Sequence, residues 1–103
     1  MEPFAFDERY IAGLQKRDPA IESHFVACFK LPVWNIAMPR LSSRDLAEDA
    51  VQKTLEGVLR FFRSGNGMKH PDRLPAFVVA VCRQITREMR HDLDRNRLVD
   101  GQI

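Results

Sequence analysis

Among the side chains that could do chemistry, His24 and Cys28 stand out first, because a spacing of four residues puts them on one helix face, as zinc ligands often are. No second pair follows. Cys82 is remote in sequence, and His70 and His91 have no evident acidic partner to orient them. Ordinary packing is therefore the expected role of His24 and Cys28, since free cysteine is commonly buried. No nucleophile elbow, phosphate-cradling glycine loop or paired-carboxylate arrangement is present. Gly65-Asn66-Gly67 follows a helical stretch, so it reads as a stop signal. The residues point away from catalysis, and neither a cofactor nor a metal is expected.

Two charged patterns remain, and both suit binding. Glu48, Gln52 and Glu56 recur every four residues, with Asp49 beside them, giving an acidic ridge on one helix face. Such a ridge can take Arg or Lys of a partner through charge-assisted hydrogen bonds. Arg83, Arg87 and Arg90 are spaced by four and three residues, with Gln84 alongside, and Lys69, His70 and Arg73 precede them. Guanidinium groups hold phosphates bidentately or stack on unpaired bases, and a glutamine amide can read a base edge. Glu88 and Asp92 interrupt the track, so it is not a polybasic tail. A plain solvated face is the alternative for each pattern, since isolated surface charges contribute little.

These residues need helices to position them. Apolar residues recur at helical spacing throughout, with no sustained two-residue alternation. A first helix is expected from Asp7 to about Lys16, with Tyr10, Ile11 and Leu14 inward. Asp18-Pro19 reads as a cap followed by proline at the first helical position. The second helix would place Ile21, Phe25, Cys28 and Phe29 inward, and Pro32 and Pro39 should kink or interrupt it. Ser42-Ser43-Arg44-Asp45 starts a third helix running to about Arg63, its stripe formed by Leu46, Ala47, Ala50, Val51, Leu55, Val58, Leu59 and Phe62. A loop from Met68 to Leu74 leads to a last helix, beginning near Pro71 or Pro75 and ending about His91. Its inward positions would be Phe77, Val78, Val81, Cys82, Ile85 and Met89. The expected fold is an all-α compact bundle of about four helices, with one domain over residues 1–96 and a tail over 97–103.

The chain has 103 residues, 45% hydrophobic and 29% charged, which is ordinary for one globular domain. Folding at this size buries roughly two-thirds of the chain's surface, enough for a core without staples. The longest apolar run, Ala76 to Cys82, is far short of the roughly 18 residues of a membrane span. With two cysteines and no basic-then-apolar start, the expected location is the cytoplasm. The formal charge of +2 is unevenly spread. Residues 1–59 carry seven Lys/Arg against nine Asp/Glu, and residues 60–103 carry nine against five. An acidic half beside a basic half suits two partners, one of them an anion.

The run Leu46-Ala-Glu-Asp-Ala-Val-Gln-Lys-Thr-Leu-Glu-Gly-Val-Leu-Arg60 resembles conserved region 2.2 of bacterial extracytoplasmic-function sigma factors, in the sigma-70 family. That family usually shows Ala-Glu-Asp, two residues, Gln, then an acid, Thr and Phe. Upstream, Arg17-Asp18-Pro19-Ala20 and Phe25 resemble the family's opening pattern of a small helix, an Asp and a helix bearing Phe. Downstream, Pro71-Asp-Arg-Leu-Pro-Ala-Phe-Val-Val-Ala-Val-Cys-Arg-Gln84 resembles its segment ending in Trp-Leu, two residues and Ile-Ala-Arg-Asn. The resemblance covers about residues 5–92, with the three motifs in the family's order and spacing.

The resemblance implies a transcription-initiation module. Its third helix would dock on the clamp coiled coil of the RNA polymerase β′ subunit through Glu48, Asp49, Gln52, Leu55 and Glu56. The loop before the last helix would capture a flipped base of the promoter −10 element, and the last helix would line the melted strand. Those roles fall on Lys69, His70, Arg73, Arg83, Gln84, Arg87 and Arg90. An anti-sigma factor would be a further partner. Lys53 stands where an acid is usual, Leu55 where Phe is usual, Phe77 for Trp and Gln84 for Asn. These departures bear on polymerase affinity and on the −10 sequence read. No region 4-like domain follows, so the chain alone is not expected to select promoters. The competing expectation is a helical protein–protein interaction domain derived from a sigma factor, without promoter binding.

Overall fold

The computed structural model describes the backbone of residues 5–101 and the side chains of residues 5–95. The helix starts are fixed by side-chain caps. Asp7 accepts a hydrogen bond from the Tyr10 N–H at 3.0 Å and opens α1 (Glu8–Gln15). Asp18 accepts from the N–H groups of Ala20 and Ile21, and Pro19 begins α2 (Pro19–Leu41). Ser43 accepts from the Leu46 N–H and opens α3 (Arg44–Arg63). A 3₁₀ turn over Pro71–Arg73 then leads into α4 (Leu74–Gly101). The described residues contain four α-helices and no strand, so the all-α bundle is the fold.

Helices α2, α3 and α4 pack against one another, and α1 closes over α2 and α3. α2 presents Phe25, Phe29, Val33, Ala37 and Leu41, a four-residue repeat that stays on one face for its whole length. α3 answers with Val51, Leu55, Val58, Leu59 and Phe62, and α4 with Leu74, Val78 and Cys82. Nearer the far end, Ala37, Leu41, Ala47 and Ala50 form a second small cluster, against which Ile85 and Met89 pack. Small residues at Ala37, Ala47 and Ala50 let the α2 and α3 backbones approach there. Between α1 and α2, a Cβ on Gly13 would run into the Ile21 side chain, so glycine is what the close approach requires.

Three expectations need correction. Pro32 and Pro39 do not interrupt α2, which runs continuously through both. Each proline deletes one backbone hydrogen bond, to Cys28 and to Asn35, but all four of these residues are exposed, so the freed carbonyls lie on the wet side. The buried stripe on the opposite face holds the helix together. Cys28 is not inward but exposed, because the Phe25 and Phe29 rings take the inward direction. α4 does not end near His91 but continues to Gly101, across the boundary drawn at residue 96. Residues 90–95 are exposed, so that stretch of the helix adds no core.

The stop after α3 follows the sequence closely. Gly65 takes φ +96, the Ser64 hydroxyl donates to the Arg60 carbonyl, and the Asn66 amide donates to the Phe61 carbonyl. Gln15 of α1 donates to the Asn66 carbonyl at 2.8 Å and ties this turn to the bundle. A bidentate pair from Arg63 to Glu22, at 2.8 and 2.9 Å, joins the end of α3 to the first turn of α2.

The core also holds two polar side chains that the periodicity passed over. Thr86 is buried and its hydroxyl donates to the Cys82 carbonyl at 2.9 Å. Thr54 is fully buried; its Oγ1 makes no hydrogen bond of ordinary length and has the Cys82 thiol as its polar neighbour. Replacing Thr54 with valine keeps the shape and removes the orphan hydroxyl. The Thr54→Val variant is expected to be about 1 kcal/mol more stable, seen as a higher urea midpoint at an unchanged slope.

Candidate functional site

The acidic ridge on α3 is fully presented: Glu48, Asp49, Gln52 and Glu56 are all exposed. Helical spacing also pairs it internally. Arg44 lies 3.8 Å from Glu48, Lys53 lies 3.0 Å from Asp49, and the Gln52 amide donates to Glu56 at 3.1 Å. Exposed pairs of this kind contribute only about 0.3–0.5 kcal/mol each, so a basic partner displaces them at little cost. Lys53 thus pairs with Asp49 and lowers the negative charge of the ridge.

Beside the ridge runs a groove of about 710 Å³ between α2 and α3. Its α3 wall is Arg44, Glu48, Val51, Gln52 and Leu55; its α2 wall includes Val26, Leu31 and Trp34. Leu31 is 64% exposed and lies with the exposed Val26 in an apolar patch on this wall. Leu55 is not a surface contact residue; it is buried in the core and only its edge reaches the groove. The α2 wall was missed from sequence. The available signal was the second apolar stripe left on α2 once Phe25, Phe29, Val33, Ala37 and Leu41 are assigned inward. That helix is apolar on most of its faces, so one face could not be told from another by periodicity alone.

Arg83, Gln84, Arg87 and Arg90 are exposed along one side of α4. Their placement follows from the inward repeat Leu74, Val78, Cys82 and Thr86, which turns the guanidinium groups outward. Gln84 donates to Glu88 at 3.3 Å, and Arg90 donates to the backbone carbonyl of Arg40 at 2.9 Å. Arg83 and Arg87 make no ion pair among the described residues. Burial pushes the Cys82 thiol above its ordinary value, and the neighbouring Thr54 hydroxyl and the Arg40 and Arg83 charges partly oppose the rise.

Lys69, His70 and Arg73 are exposed, and the turn that carries them is pinned by the Arg73 N–H donating to the His70 carbonyl at 2.9 Å. The irregular part of the expected loop is shorter than Met68–Leu74, because Pro71–Arg73 is a helical turn and Leu74 is buried. Nearby, Phe61 is 37% exposed and packs against Phe77 with ring centroids 5.0 Å apart. An exposed aromatic edge of this kind is a platform on which an unpaired base can stack. Sequence reading had absorbed Phe61 into the helix end, next to the buried Phe62.

His24 and Cys28 share no ligand geometry with a third residue. The His24 Nδ1 lies 2.8 Å from the Tyr10 hydroxyl, and the two rings meet edge-on. Burial pushes the Tyr10 phenol up, and the Cys28 thiolate charge adds to the rise. Among the described residues no group of three or more His, Cys, Asp or Glu converges as metal ligands would. No described helix is long and apolar enough to cross a membrane.

The ridge with its groove and the arginine stripe are two chemically opposite surfaces on one rigid three-helix frame. Compared with known proteins, the chain matches no family model, no curated protein and no solved structure.

Proposed function

We propose that the chain is a sigma region 2-like module that docks on the β′ clamp coiled coil of RNA polymerase and recognises and melts the promoter −10 element. Support comes from the way two of the three sigma-like motifs coincide with exposed chemistry. The Ala47-Glu48-Asp49 motif carries the acidic ridge beside an apolar groove, and the Pro71–Gln84 motif leads into the arginine stripe. A basic, amphipathic helical hairpin would match the ridge by charge and the groove by its apolar side. An unpaired strand would match the guanidinium groups by its phosphates and Phe61 by its bases. Work of this kind belongs in the bacterial cytoplasm.

The observation that carries the reading is the exposed ridge Glu48, Asp49, Gln52 and Glu56, of which Glu48 and Gln52 form part of the wall of the α2–α3 groove. Its test is a titration of the chain, and of a Glu48→Ala/Asp49→Ala/Gln52→Ala variant, against a purified β′ clamp coiled-coil fragment. The unmodified chain is expected to bind, and the variant to lose at least about tenfold, some 1.4 kcal/mol. No binding by the unmodified chain at concentrations on the order of 50 μM, a binding free energy weaker than about −6 kcal/mol, would overturn the polymerase role. The second reading is a helical interaction domain that has kept the fold and lost the promoter. The 64% exposure of Leu31 in the groove favours it to the extent that protein docking needs no arginine stripe.

A further inference from the structure

We infer that Arg40, Arg87 and Arg90 form a seat for a phosphoryl group between the end of α2 and the outer half of α4; this rests on α4 as the nucleic-acid face, with a DNA backbone phosphate as occupant. The three arginines line a depression of about 300 Å³, together with His91, Asp94 and the buried Thr86. Arg40 is half-buried and comes from a different helix, so the cluster exists only in the folded chain.

Three guanidinium charges meet one carboxylate here, and none of the three has an ion pair among the described residues. Like charges gathered around one open depression repel, and an anion between them relieves that repulsion. Arg90 is already held in place by its bond to the Arg40 carbonyl, at 2.9 Å. That bond uses one of its five N–H donors and covers a carbonyl in the last turn of α2, whose negative pole would otherwise oppose an anion. The remaining donors form planar forks that match phosphate geometry. A base is a poorer fit. The exposed His91 imidazole is the one ring among the lining residues, and the Thr86 hydroxyl is committed to the Cys82 and Arg83 carbonyls, which leaves little to read a base edge.

The test compares the chain with an Arg40→Gln variant, which removes the charge and leaves the backbone carbonyl that anchors Arg90. Fluorescence anisotropy of a single-stranded −10 oligonucleotide is followed across a salt series. The variant is expected to bind more weakly at low salt, and its log–log salt slope to be shallower by about 0.7, one phosphate contact fewer. Equal slopes with DNA binding intact would overturn the seat while leaving the nucleic-acid reading standing. If the unmodified chain fails to bind DNA, that reading falls, and inorganic phosphate becomes the probe. Saturable shifts of the Arg40, Arg87 and Arg90 side-chain N–H signals, lost in Arg40→Gln, would then assign the seat to free phosphate. Their absence would overturn the proposal.

Discussion

Truncating Phe25 to alanine is expected to cost about 3–5 kcal/mol, the largest single-site effect on stability in this chain. Phe25 is fully buried in the middle of the main core cluster, with its ring centroid 5.0 Å from that of Phe29. It sits on α2, the helix that packs on every other one, so the void cannot be filled by a loop settling inward. Small domains carry only about 5–15 kcal/mol in total, and the loss is therefore a large share of the whole. Urea unfolding followed by circular dichroism checks the figure, with a loss below about 1.5 kcal/mol contradicting the central role of Phe25. Where Phe25→Ala does not fold at all, Phe25→Leu gives the graded version, since it keeps most of the buried volume.

The largest functional effect is expected from reversing two charges on α4, Arg83→Glu with Arg87→Glu. Both side chains are exposed and without ion pairs among the described residues, so the fold should keep its urea midpoint. Under the proposed reading, each reversal removes a phosphate contact and adds repulsion along the strand. Losing contacts worth about 1–3 kcal/mol each makes a combined drop of about 100-fold or more in single-stranded DNA binding the expected result at low salt. Binding to the β′ clamp fragment should not change, because the ridge lies on α3. Unchanged DNA affinity in the folded double variant would remove the stripe from the mechanism. Loss of both activities together would mean that the two surfaces are not separate.

Much of the fold was legible because local chemistry decides it. Asp18 and Ser43 cap the helices they were expected to cap, and Asp7, expected as the first residue of α1, caps it instead, since a side-chain oxygen two or three residues from an unpaired N–H satisfies it whatever the surroundings. The α3 stripe was readable from residues 46–62 because its apolar and charged residues are cleanly divided, and that division alone exposes Glu48, Asp49, Gln52 and Glu56. Pro32 and Pro39 misled for the opposite reason. Their local penalty is real, but the packing of Phe29, Val33 and Ala37 against two neighbouring helices outweighs it, and no local pattern reports that packing.

The candidate surfaces divide in the same way. Residue spacing determined the acidic ridge and the arginine stripe, because each lies on a single helix whose 3.6-residue period fixes which side chains share a face. Only the tertiary structure decided what stands beside them. It set Val26, Leu31 and Trp34 against the ridge, placed Phe61 and Phe77 together, and brought Arg40 to Arg87 and Arg90 across 47 and 50 residues of chain. Neighbours on one helix follow from its geometry, whereas neighbours on different helices follow from which apolar faces pack together, and that depends on the whole core at once.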